Sequence, residues 1–394
     1  MKNIWSKNKY LDLCINILLF LVGINFMHYG QLFLPVICFL LFIDHKFKFE
    51  VNDPRTFIIL CLFAVSFYAF SYQLGFYCVM GFTLPMAYYI GSNMHEPDED
   101  KIRKVIYLFA LAMGCHVILN SVYEYIVHGH HGFFMSTTHF DIWTHDKIAN
   151  TATAVNSDLI IGCFYYLLFH EKNGKIKTAS FIILAWSMFY LIVIGRRTPV
   201  MMIAIVFVAS YLYEAFYLKN GSKQLRKSFL IILVAAITAI ALLALTYSLN
   251  LFNAKQTLEE YHIIQKFTKN FINDQRFELY FGSFKLMPQY LWGGQHISTI
   301  LGEQVHDFWI DIYDYAGIVT CIIMLVYSVI CLLNSIKLLK YEKRSKTFRI
   351  LYLGVFISIA LQLFFEPVMT GSSIFVIVAV IIIALAEKLV PHEK

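Results

Sequence analysis

The chain has 394 residues, 59% hydrophobic, 17% aromatic and 15% charged, with a mean hydropathy of +0.62. A soluble domain has roughly 45–50% apolar and about 25% charged residues, so an ordinary soluble enzyme is excluded. Apolar stretches recur from end to end, which predicts an all-α, polytopic helical bundle forming one integral membrane domain over residues 1–394.

Twelve spans are predicted in chain order: 11–27, 31–43, 56–74, 76–92, 105–127, 153–169, 179–194, 199–217, 229–249, 307–334, 350–366 and 373–389. The basic start (Lys2, Lys7, Lys9) before an apolar run mimics a signal peptide. No small-residue cleavage site follows, so it reads as an uncleaved first span. With the N-terminus inside, the inside segments hold 24 Lys and Arg and the outside segments 8. That bias places both termini in the cytoplasm. Two outside loops are large, about 128–152 and 250–305. The second contains helix-period stretches, "TLEEYHIIQKFTKNFI" and "RFELYFGSFKLM", ended by Pro288 and the Gly293-Gly294 pair. One or two amphipathic helices are expected to lie over the bundle. The eight cysteines all fall in or beside apolar runs, so no disulfide framework or zinc spacing is visible.

Four features carry candidate chemistry. Arg196 and Arg197 sit at the outer turn between two spans, with Pro199 opening the next helix. Guanidinium forks beside free backbone N–H groups suit phosphate, although two arginines also snorkel to headgroups. Arg276, in "NDQRFELYFGSF", is a second external cation; its plain alternative is a surface pair with Asp274 or Glu278. The segment "VHDFWIDIYDYAG" carries His306, Asp307, Asp311 and Asp314 into an apolar run. Residues 307, 311 and 314 share one helical face, and ionisable groups entering a bilayer segment are costly and functional by default. His306 is expected to take a proton near neutral pH, with Asp307 or Asp311 orienting its ring. Glu366, before Pro367, lies at the same depth and reads either as a site carboxylate or as an interface residue.

Other features are set aside. His128, His130, His131, His139 and His145 do not have ligand spacing. The acidic triplet Asp98-Glu99-Asp100 lies in a very short inside loop. Neither a metal nor any other cofactor is expected. Trp292, Trp309 and other outside aromatics suit sugar rings and suit an interfacial belt equally well.

Together these pieces resemble the O-antigen polymerase and ligase superfamily, which includes capsular repeat-unit polymerases. "GRRTPV" is similar to the family's Ser-Arg-Gly/Thr turn, with Arg197 on the family arginine and Arg196 where serine is usual. Arg276, Trp292 and Gly293-Gly294 look like the arginine, tryptophan and glycine turn of the long loop. "HDFWIDIYDYAG" is similar to His-Asn-x-x-Leu-x-x-Leu-x-x-x-Gly, with Asp307 in place of Asn, Ile310 and Tyr313 in place of the leucines, and Gly317 matching. "TATAVNSDLIIG" resembles the family's Asn-containing span entry, with Asn156 as the match. The resemblance covers about residues 130–320 by motif and the whole chain by topology.

It implies glycosyl transfer between undecaprenyl-diphosphate-linked saccharides on the outer face of the cytoplasmic membrane. Arg197, Arg276 and Arg196 are then expected at the diphosphate, and His306 at the acceptor hydroxyl with Asp307 or Asp311. Glu366, Asn156, Trp292 and Trp309 are expected as further substrate-binding residues. The implied partners are the lipid-linked oligosaccharides, the bilayer, and a chain-length regulator and a flippase of the same pathway; no nucleic acid is expected. Two other readings stay open: a ligase moving finished polymer to another acceptor, and a lipid-linked oligosaccharide flippase. Charges gathered under one long loop, rather than along a central cavity, favour an enzyme over a flippase.

Overall fold

The computed structural model describes residues 4–71, 77–135, 139–148, 150–220, 222–250, 275–366, 368 and 372–390. The expected loop helix "TLEEYHIIQKFTKNFI", with Asp274, lies outside the described residues.

The described chain is helical apart from one antiparallel pair, β1 (His139–Phe140) and β2 (Lys147–Ile148). The helices are α1 (Lys9–Gly23), α2 (Phe33–Asp44), α3 (Pro54–Ser71), α4 (Tyr77–Ser92), α5 (Glu99–Met135), α6 (Asn150–Asn156), α7 (Asp158–Gly162) and α8 (Phe164–Phe169). Then come α9 (Gly174–Val193), α10 (Thr198–Leu212), α11 (Lys223–Ser248), α12 (Gln275–Leu286), α13 (His296–Leu301), α14 (Phe308–Lys340), α15 (Lys346–Phe365) and α16 (Ser373–Glu387).

Local sequence explains their starts. Asn8, Asn173, Ser222 and Ser345 each accept backbone N–H groups of the helix that follows them, satisfying donors that a first turn leaves open. Pro54 opens α3, and Pro199 stands in the first turn of α10. Around a core of Trp5, Tyr88, Phe109, Tyr352 and Phe375, α14 packs on α3, α16 on α4, and α15 on α7 and α10.

The chain is a multi-pass membrane protein. Among the described residues six helices are long and apolar enough to cross a membrane: Pro54–Ser71, Glu99–Gly129, Gly174–Val193, Thr198–Tyr217, Phe308–Lys340 and Lys346–Phe365. Two shorter apolar helices are Gly30–Asp44 and Ser373–Glu387. The twelve predicted intervals all contain helix, but several helices are short. At 1.5 Å per residue, 15 or 16 residues in α1 and α4 reach about 24 Å, less than the roughly 30 Å of a hydrocarbon core.

Two predicted spans are broken. The interval 153–169 is three pieces, α6, α7 and α8. Asn156, Ser157 and Asp158 fall at the first break, and the Ser157 hydroxyl donates to Thr153 O, the local competition that interrupts helices. The interval 307–334 is kinked at Gly317, whose φ of +77° and ψ of −178° only glycine adopts readily.

Candidate functional site

The break at Gly317 and the Trp292-Gly293-Gly294 turn are one structure. Ile318 N donates to Leu291 O, Gly294 N to Tyr315 O and Gln295 N to Asp314 O, at 2.9, 3.2 and 2.8 Å. A Cβ on Gly317 would lie 2.6 Å from Leu291 O, and one on Gly293 2.6 Å from Tyr315 O. Only bare backbone fits, so both glycines are fixed by close approach. This lock sets the direction in which the first part of α14 leaves the loop.

Asp307 begins that helix. Its carboxylate accepts from Trp309 N and Ile310 N at 3.0 and 2.9 Å, a helix N-cap. His306 precedes it with φ +58°, a left-handed conformation uncommon outside glycine. The Tyr280 hydroxyl, on α12, donates to Phe364 O at 2.8 Å and to His306 O at 3.2 Å. Burial pushes the Tyr280 phenol up to about 12, so it remains a donor at neutral pH. One side chain thus joins the long loop, the turn before α14 and the end of α15.

Glu366 stands at the centre, with no exposed surface. The Arg196 guanidinium lies 3.5 Å from one carboxylate oxygen, and Arg276 lies 3.7 Å from the other. His306 Nδ1 is 3.9 Å from Glu366 Oε2. The Thr198 hydroxyl donates to Glu366 Oε1 at 3.0 Å. Glu303, half exposed, faces His306 Nε2 at 3.7 Å. Groups separated by up to 170 residues in sequence therefore converge on one carboxylate.

The electrostatics follow from that ring. Burial holds the His306 imidazole below its ordinary 6.5; Glu366 pulls it up, while Arg276 and Arg196 push it down. The ring is therefore a neutral base at pH 7.

Several expectations change. From the arginine pair, Arg196 together with Thr198 reaches Glu366, while half-buried Arg197 takes the N-cap position of α10. Asp307 was expected to orient His306; its carboxylate caps α14 instead, and Glu366 with Glu303 faces the imidazole. Asp311 is buried behind that cap, and its Oδ2 has no hydrogen-bond partner among the described residues. Asp314 caps α13 through Ile297 N, Ser298 N and the Ser298 hydroxyl. The helical face shared by 307, 311 and 314 is thus spent largely on structure.

Trp292 is exposed and stacks on Phe70, with centroids 5.6 Å apart. Trp309 donates from its indole to Ser328 Oγ at 3.1 Å and lies on Phe364. Asn156 is drawn into a separate buried network with His116. Thr198 and Tyr280 have roles that sequence reading missed; Thr198 carried a signal, its place directly after the arginine pair.

The family model for O-antigen polysaccharide polymerase Wzy matches residues 3–282. The match includes Arg196, Arg197 and Arg276 and ends before His306 and Glu366. No curated protein matches the chain. With most of its length matched and its cations gathered at one buried carboxylate, the chain belongs to the O-antigen polysaccharide polymerase family.

Proposed function

We propose that the protein joins undecaprenyl-diphosphate-linked oligosaccharide repeat units at the outer face of the cytoplasmic membrane, in O-antigen, capsule or exopolysaccharide synthesis. The convergence of Arg196, Arg276 and His306 on Glu366 carries this reading. The outer-face assignment rests on the Lys and Arg bias, which puts these groups on the side with few cations.

The chemistry suits the residue types. The acceptor hydroxyl oxygen attacks C1 of the donor sugar, and its proton passes to the neutral His306 imidazole. The C1–O bond breaks, and its electron pair leaves on the lipid diphosphate. Arg196 and Arg276, with Arg197 beside them, neutralise that leaving group as fixed cations, so the proposed reaction is metal-independent. Glu366 holds the guanidinium groups and the imidazole in mutual register, and so takes over the orienting of His306 expected of Asp307 or Asp311. Base assistance of this kind contributes roughly 10²–10⁴-fold.

The test is His306→Ala, with mass analysis of lipid-linked saccharides from cells. Polymer should vanish and single repeat units should accumulate on lipid carrier, while the protein remains in the membrane. Normal-length polymer from that variant removes the mechanism. Accumulation of long lipid-linked chains on deletion of the gene would make the protein a ligase.

A further inference from the structure

A second buried polar chain runs beside the proposed site, from the first outside loop to Ser372. Asp141 Oδ2 lies 3.2 Å from His116 Nε2. His116 Nδ1 lies 3.1 Å from Asn156 Nδ2, and Asn156 Oδ1 accepts from the Ser372 hydroxyl at 3.4 Å. Asp141, His116 and Asn156 are all 5% exposed or less. Asp141 is itself held, because its Oδ1 accepts from Trp143 N and Thr144 N. At the other end, Ser372 N donates to Val368 O, and Val368 N to Glu366 O. The chain therefore connects the first outside loop, α5 and α6 to the backbone of Glu366.

With His116 neutral, its polarity is set at every step. A carboxylate only accepts, so Nε2 of His116 carries the proton. In a neutral ring Nδ1 then accepts, which turns the Asn156 amide nitrogen toward it. The amide oxygen is left facing Ser372, whose hydroxyl must donate. Each link fixes the next, and a buried network of this kind specifies one arrangement when every member is satisfied.

We propose that Asp141, His116, Asn156 and Ser372 form a directional hydrogen-bond relay, and that Asp141 and His116 are positioning residues that hold the Glu366 backbone for glycosyl transfer. The proposal rests on the polymerase reading for its reaction, and on the geometry above for the relay itself. None of the four touches the reacting atoms; they act through the placement of Glu366.

Reversal of polarity tests it. In Asp141→Asn the side-chain amide donates to Nε2, so His116 carries its proton on Nδ1. The Asn156 amide then flips, and Ser372 must accept. In the double variant Asp141→Asn/Asn156→Asp, Nδ1–H donates to the new carboxylate, and Ser372 donates again. Purified protein in lipid, with the lipid-linked repeat unit as substrate, should lose about tenfold in turnover in the single variant. The double variant should recover to within about threefold of wild type, both measured per folded protein with Tm monitored. ¹⁵N NMR of labelled histidine, assigned with His116→Gln, should show Nε2–H in the wild type and Nδ1–H in both variants. Packing alone would not be restored by moving a carboxylate between positions. A wild-type Nδ1–H tautomer, wild-type turnover in Asp141→Asn, or a double variant as slow as the single overturns the relay. If wild-type protein makes no polymer from lipid-linked units, the polymerase reading fails, while the tautomer measurement still decides the relay.

Discussion

Glu366 is a buried carboxylate with two guanidinium groups, an imidazole and a hydroxyl around it. Removing any one of them changes the others, so variants here report on a unit. Arg276→Lys keeps the charge and loses the planar fork. Turnover should fall about 100-fold, in line with loss of one oriented transition-state donor, as read from initial rates with lipid-linked substrate. The pH profile follows from His306. In the proposed mechanism the active form is the neutral ring, and burial with Arg276 and Arg196 lowers its pKa beneath 6.5. Turnover should be level near pH 7 and fall as pH drops through a value below 6.5. Glu366 favours the protonated ring, so Glu366→Gln should move that acid limb to still lower pH in whatever activity remains. At this scale the sequence was informative about residue types. Arg276 was visible as a cation of the long external loop, and His306 and Glu366 as ionisable groups beside apolar runs. Their meeting was not, because no periodicity relates residues 196, 276, 306 and 366.

Short elements, more than long ones, decide the geometry of the site. The first part of α14 is aimed by the pairing of 291–295 with 314–318, where two glycine backbones touch. Gly317→Ala should cost about 1–3 kcal/mol for its backbone conformation alone, before the clash with Leu291 O. A Tm lowered by several degrees together with lost polymer is the expected result; unchanged Tm and turnover would show that the lock does not hold the site. The break was hidden in the sequence because a lone glycine inside a helical pattern is usually tolerated and the run after Gly317 is apolar. The spacing of 307, 311 and 314 looked like a catalytic face. In the structure Asp307 begins α14, while Asp314, inside α14, accepts from the first N–H groups of α13, since short carboxylates are also strong caps.

Across the whole molecule, hydropathy placed a helix in every predicted interval, because in lipid the backbone must satisfy itself. It did not foretell which of these are long enough to cross. Length depends on where caps and breaks fall, as the three pieces α6, α7 and α8 show. The site assembles from the α9–α10 turn, α12, the start of α14 and the end of α15. All of these are element ends held by packing below them.

The carboxylate inside the cationic ring has a consequence for ligand choice. Any anion arriving there competes with a resident charge that never diffuses away. A weakly charged headgroup gains little by that exchange, whereas a diphosphate brings enough charge to win it. Undecaprenyl diphosphate should therefore inhibit at a concentration about tenfold below that of the monophosphate, and Glu366→Gln should shrink this preference. Glu366 would then act as a threshold for charge number, keeping the abundant headgroups of the surrounding bilayer from occupying the enzyme between turnovers.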